Sequence, residues 1–272
     1  MKPFAFAVLA LGLCGPALAE PTSLKAMMTG DDSKGYEAVG RLNIAGEAFC
    51  TGALISETLV LTAAHCLYDA DTGERYPDTS IEFLAGWRNG RAASYRSARR
   101  AVVHPDYDYH GEVETDRVAT DVALVELDQP IRKTSVTPFP VGHWPRKGAE
   151  VGVVSYAFDR ADMPSLQETC KVLGRQQGSL VLNCDVDKGS SGAPIFSFES
   201  GVAQIVSVVS AKAHAGELPV SLGTTLGDAL DGMRAELAMS DGLFTHVVAP
   251  TADVMRRESG AAGSAKFVRP GG

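Results

Sequence analysis

The sequence predicts an all-β fold, an antiparallel barrel or sandwich, from three observations. Apolar residues fall in short runs that are β-branched or aromatic. Clusters of Gly, Pro, Asp and Asn separate those runs. The spacing of an amphipathic helix occurs convincingly only once, near the C-terminus. Composition agrees: 45% of the 272 residues are apolar and 21% charged, a soluble globular profile rather than a disordered or fibrous one. The length suits one large domain or two small ones.

The elements follow in order. Lys2 opens a short basic segment, Phe4 to Leu13 is apolar, and Ala17-Leu18-Ala19 supplies small residues before a cleavage point. Residues 1–19 therefore read as a secretory signal, too short to span a bilayer comfortably. Residues 20–38 form an N-terminal segment or propeptide. Strands are expected at Leu59-Val60-Leu61, Ile81 to Leu84, Ala101 to Val103 and Val122 to Leu127. Further strands are expected at Val151 to Tyr156, Leu180 to Leu182, Ala193 to Phe198 and Ile205 to Val209. Pro138, Pro140 and Pro145 mark a boundary between two β subdomains, 39–135 and 136–238. Thr225 can cap a helix whose Leu226, Leu230, Met233 and Leu237 share one face, with Asp228 in the first turn. Residues 239–272 read as a partly disordered extension.

Charge and cysteine usage narrow the function classes. With 25 basic against 33 acidic residues the formal charge is −8, so the field that nucleic-acid binding needs is missing. No later apolar run suits a membrane span, so no membrane association is expected once the signal is removed. Cys14 leaves with the signal, and Cys50, Cys66, Cys170 and Cys184 remain, an even number for an oxidising compartment. Four cysteines allow three pairings. The sequential one, Cys50–Cys66 and Cys170–Cys184, closes two short loops, each worth about 3 kcal/mol in the chain-entropy model. The rival is a four-cysteine zinc site, but the cysteines do not form CxxC pairs.

Three segments carry chemistry. His65 stands in Thr62-Ala63-Ala64-His65-Cys66, at the end of a strand and beside a cysteine. Asp121 sits at the mouth of the apolar strand Val122 to Leu127; its rival Asp116 abuts no such strand. Ser191 lies in Gly189-Ser190-Ser191-Gly192-Ala193-Pro194, where glycines let backbone N–H groups converge beside a hydroxyl. These are the parts of acyl transfer. A serine needs a base to take its proton, and a histidine titrates near neutrality. A carboxylate then fixes the imidazole tautomer, and two N–H groups receive the oxyanion.

With these motifs the chain resembles the trypsin- and chymotrypsin-like serine proteases, especially their secreted bacterial, glutamyl-endopeptidase-like branch. Phe49-Cys50-Thr51-Gly52, Val103-His104-Pro105 and Ile205-Val206-Ser207 also look like family strands. The resemblance runs from about Val39 to Leu237. It implies two six-stranded antiparallel β-barrels packed face to face, with a C-terminal helix. His65 and Asp121 would come from the first barrel and Ser191 from the second. It implies a secreted or periplasmic monomer that cleaves peptide or protein substrates without a cofactor or metal. The N–H groups of Gly189 and Ser191 would hold the oxyanion, and Ser207 would lie on the strand that holds substrate backbone. The Cys50–Cys66 bridge matches one common in the family, and Cys170–Cys184 follows the bacterial branch. Asp185, six residues before Ser191, has the offset of the carboxylate that floors the primary pocket in trypsin-like members. That implies cleavage after Arg or Lys, with a pocket for small or apolar side chains as the alternative.

Two positions depart from the vertebrate-type pattern. Ser190 replaces an Asp that pairs with the N-terminus freed by activation, and Ala193 replaces a glycine. Both departures occur in the bacterial branch. Two other function classes compete. Ser191, Asp228 and His246 follow the chain order of an α/β-hydrolase, although Ala193 spoils its G-x-S-x-G elbow. A secreted pseudoprotease would keep the barrels for binding alone. Asp69, Asp71 and Glu74 around Gly73 could hold calcium, yet a full twelve-residue loop is missing.

Overall fold

The computed structural model describes residues 21–111 and 114–244. The expected signal segment, His246 and most of the C-terminal extension lie outside the described residues. In chain order the strands begin with β1 (Lys25–Ala26), β2 (Val39–Ile44), β3 (Ala48–Leu54) and β4 (Leu59–Thr62). Then come β5 (Ile81–Ala85), β6 (Ser94–Val103), the helix α1 (Glu114–Thr120) and β7 (Ala123–Leu127). The second half holds β8 (Glu150–Ser155), β9 (Ser165–Gln176), β10 (Ser179–Leu182) and β11 (Pro194–Ser197). It ends with β12 (Gln204–Ala215), β13 (Leu218–Thr224) and the helix α2 (Gly227–Phe244).

Strands β2 to β7 close a six-stranded barrel in the order β2-β3-β4-β7-β6-β5. Strands β8 to β13 close a second, because β9 pairs with β8 as well as with β10. All pairings between these strands are antiparallel. Closure pairs each strand of the two barrels with two neighbours. The expected fold of two barrels and a C-terminal helix is the one observed.

Residues 21–38 tie the barrels together. Lys25 and Ala26 pair with Leu166 and Ser165 of β9, and Met27 is fully buried. Further on, Arg88 of the first barrel donates to the Thr29 carbonyl and the Ser33 hydroxyl. Between the barrels Tyr36, Phe139 and Phe196 form an aromatic cluster, with Phe139 and Phe196 centroids 4.7 Å apart.

Helix α2 leaves the second barrel and packs on β6 and β7 of the first. Leu226, Leu230, Met233 and Leu237 are all buried there, each worth about 2 kcal/mol when withdrawn from water. Arg100 on β6 donates to the Leu237 carbonyl at 2.8 Å. The Thr225 hydroxyl donates to the Gly178 carbonyl at 2.7 Å, so Thr225 ties the helix start to the β9–β10 turn.

Two disulfides join Cys50 to Cys66 and Cys170 to Cys184. The sulfurs of Cys50 and Cys66 lie near the His65 ring, but a bridged sulfur is no metal ligand. Replacing Cys170 and Cys184 by Ser is expected to lower unfolding stability by about 3 kcal/mol, read from denaturant melts. A non-reducing peptide map joining Cys66 to Cys170 would contradict both bridges.

Candidate active site

His65 is held before it meets any substrate. Strand β4 ends at Thr62, and a short 3₁₀ turn, Ala64–Leu67, follows. Cys66 on that turn is bridged to Cys50 on β3. Asp121 lies between α1 and β7, and its side chain is 5% exposed against 32% for His65. One carboxylate oxygen of Asp121 accepts the His65 backbone N–H at 2.8 Å. The other accepts His65 Nδ1–H at 2.6 Å and the Ser210 hydroxyl at 2.5 Å. Holding the proton on Nδ1 leaves Nε2 as the ring's acceptor.

Burial pulls the His65 pKa down, but the charge and hydrogen bond of Asp121 outweigh it. Arg117 also opposes protonation, and the net shift is upward. The imidazolium is thus stabilised in place, as a proton shuttle requires.

The second barrel holds Asp121 from the other side. Ser210 belongs to β12, and Thr224, at the end of β13, directs its hydroxyl at the Val118 and Asp121 carbonyls, 2.7 and 3.1 Å away. Asp121 is thus held by side chains of both barrels.

The serine segment is built with similar economy. Gly192 has φ of +75°, and a Cβ there would fall 2.1 Å from Thr62 Oγ1 and 2.3 Å from the Thr51 carbonyl. Only glycine lets the loop approach β3 and the end of β4 so closely. The Gly192 N–H donates to Val209 on β12, and the Ser191 carbonyl accepts Thr51 N–H at 2.9 Å. These contacts seat Ser191 beside the strand end that carries His65. No hydrogen bond joins the Ser191 and His65 side chains among the described residues; in substrate-free sites such contacts are often long and tighten on binding.

The backbone turns sharply just before Ser191. Gly189 has φ of +94°, and its carbonyl accepts the Thr51 hydroxyl at 2.9 Å. The Lys188 carbonyl accepts Phe158 N–H, which turns the Gly189 N–H of the same trans peptide away from Phe158. Among the described residues, neither the Gly189 nor the Ser191 N–H has an acceptor. Ser190 is fully buried. Its hydroxyl donates to the Tyr156 carbonyl at 3.2 Å and lies 3.4 Å from an Arg160 nitrogen.

Two residues expected to touch substrate differ in their surroundings. Ser207 is fully buried and donates to the Thr224 carbonyl at 2.7 Å, so it faces the barrel interior. Ser210, three residues on along the same strand, is the serine that reaches Asp121. Asp185 is exposed; its N–H donates to Gln167 Oε1, and its carboxylate has no partner among the described residues. A carboxylate in water lacks the desolvation that makes a pocket carboxylate demand a cation.

The remaining candidates fall elsewhere. Asp116 and Asp228 are exposed on α1 and α2. Asp69 does not present its carboxylate to a cation: it accepts the N–H groups of Asp71 and Thr72 and the Tyr76 hydroxyl. That contact pushes the Tyr76 pKa up to about 12. His110, His143 and His214 are exposed, and His104 Nδ1 accepts Asp106 N–H.

Known proteins resemble this chain in different degrees. A rabbit (Oryctolagus cuniculus) coagulation factor IX is 34% identical over 105 residues, 38% of this chain and 34% of the relative. The guinea pig (Cavia porcellus) factor IX is 32% identical over 103 residues, 38% of this chain and 33% of the relative. The chain thus spans about a third of the length of these relatives. A solved Glu endopeptidase superposes with a TM-score of 0.64 at 17% identity, covering 82% of this chain and all of that one. That likeness concerns the fold. The trypsin family model matches residues 28–221. A match that reaches through both barrels makes this chain a member of the trypsin family of serine proteases.

Proposed function

We propose that this chain is a secreted serine endopeptidase, acting on exposed peptide segments through an acyl-enzyme. The observation that carries the reading is the Asp121 carboxylate, which takes hydrogen bonds from His65 of one barrel and Ser210 of the other. In the first step Ser191 Oγ attacks the scissile carbonyl carbon as its proton passes to His65 Nε2. The carbonyl oxygen becomes an oxyanion facing the Gly189 and Ser191 N–H groups, worth about 3 kcal/mol per donor. The imidazolium then protonates the leaving amine, the C–N bond breaks, and an ester to Ser191 remains. Water repeats the sequence and frees the acid. Every proton passes through His65, so no cofactor is needed in this scheme.

Two disulfides favour an oxidising compartment, so the periplasm or the exterior is the proposed location. No helix among the described residues is long and apolar enough to cross a membrane. A monomer suffices, because both halves of the site lie on one chain. The test is hydrolysis of an unfolded protein by the purified mature chain, with its N-terminus read by mass spectrometry. Sustained cleavage supports the reading; peptide binding without cleavage would favour the pseudoprotease.

Cleavage after Arg or Lys needs a shielded carboxylate, which exposed Asp185 does not supply. Small or apolar side chains at the cut are the reading that remains. Asp185→Ser is expected to leave the preferred residue at the cut unchanged in a peptide-library profile. Loss of Arg or Lys cleavage in that variant alone would return Asp185 to the pocket.

A further inference from the structure

Beside His65 lies an open cleft of about 240 Å³, lined by Tyr107, Tyr109, Arg117, Val118, Asp121 and Ala211 among others. Its two charged groups are partnered unequally. Asp121 already takes three hydrogen bonds from His65 and Ser210. Arg117, half-buried on α1, donates from Nη1 to the Tyr109 carbonyl at 3.2 Å. Among the side chains that are described, none forms an ion pair with it. A guanidinium has five N–H donors, so most of the fork remains for a ligand.

The path of a substrate follows from β12. One of its edges pairs with β11 only as far as Val208, with last backbone bonds at Val209, whose N–H donates to Ala193 and whose carbonyl accepts Gly192 N–H. The other edge pairs with β13 through to Ala215. Beyond Val209 the first edge is therefore open, starting at Ser210 beside Asp121 and close to Ser191. An extended peptide can add there as a strand. Side chains of a strand alternate in direction. If the residue at the cut points toward the 185–190 loop, its acyl-side neighbour points to the opposite side, over His65 and the cleft.

We propose that this cleft takes an Asp or Glu side chain, second from the cut on the acyl side, and pairs it with the Arg117 guanidinium. Tyr107, Tyr109 and Val118 supply apolar walls for the methylenes, while Arg117 meets the carboxylate with two donors at once. The proposal rests on the endopeptidase reading, and it makes Arg117 a determinant of specificity.

The test uses peptides differing only at that position, with the Ala peptide as reference in each variant. The parent is expected to favour Asp and Glu over Asn and Gln by about tenfold in kcat/KM. Arg117→Gln should abolish the difference, and Arg117→Glu should turn it toward Lys and Arg. A parent without acidic preference, or one unchanged in Arg117→Gln, overturns the proposal. Binding keeps the two readings apart. Ser191→Ala should bind the Asp peptide more tightly than the Asn peptide, and Ser191→Ala with Arg117→Gln should not. Failure of hydrolysis with that binding pattern intact would sink the endopeptidase reading and leave the subsite standing. Equal binding of the two peptides to Ser191→Ala would sink the subsite.

Discussion

Ser191→Ala is expected to lower peptide hydrolysis by about a million-fold, the scale seen when a triad serine is removed elsewhere. The loss belongs to chemistry and not to folding. Ser191 is half-buried, and the contact that seats it uses its backbone carbonyl, which accepts Thr51 N–H. Truncation to Ala keeps that contact and deletes only the hydroxyl. Unfolding curves of parent and variant should therefore coincide while turnover vanishes. A variant as active as the parent would remove Ser191 from the nucleophile's role.

The second large effect is expected from Asp121→Asn, about 10⁴-fold in kcat. An amide presents both a donor and an acceptor to Nδ1, so it no longer fixes the tautomer that leaves Nε2 free. It also withdraws the charge that raises the His65 pKa against burial and Arg117. The sign of the pH effect follows. The base must be neutral, so parent activity is lost as pH falls through the raised His65 pKa, which lies above 6.5. In Asp121→Asn the residual activity should keep its acid limb at lower pH. An unmoved limb would mean that another group sets the profile.

Much of the fold was legible because its strands carry their own signal. Val122 to Leu127 and Val151 to Tyr156 are apolar runs, buried along nearly their whole length, and each contains a strand. Strand β9 gave no such signal because its buried positions include Ser165 and Gln167. Strand β13 is broken by Pro219 and Gly223, and α1 has too few residues for a 3.6-residue period to emerge.

The site shows the same division. His65, Asp121 and Ser191 each stand at the end of a recognisable strand or glycine turn, which sequence displays directly. Which serine of β12 reaches Asp121 was not legible, because the chain reads Ile205-Val206-Ser207-Val208-Val209-Ser210, two similar tripeptides in succession. A register shift between Val209 and Ala211 in the β12–β13 pairing accompanies the change from inward Ser207 to Ser210 at Asp121. Pairing irregularities of that kind are not written in a short motif. The surroundings of Asp185 were hidden for a related reason: its offset from Ser191 is local, but its exposure depends on how the loop packs. Arg117 escaped notice because a single arginine has no pattern until α1 brings it to the cleft.

The central claim is that Ser191 is a nucleophile activated by His65. Its most direct measurement is labelling with a serine-directed organophosphonate, followed by a peptide map. One adduct is expected, on Ser191, at a rate that rises with pH through the His65 titration and collapses in His65→Ala. Failure of the parent to label, an adduct on another residue, or unchanged labelling in His65→Ala would contradict it.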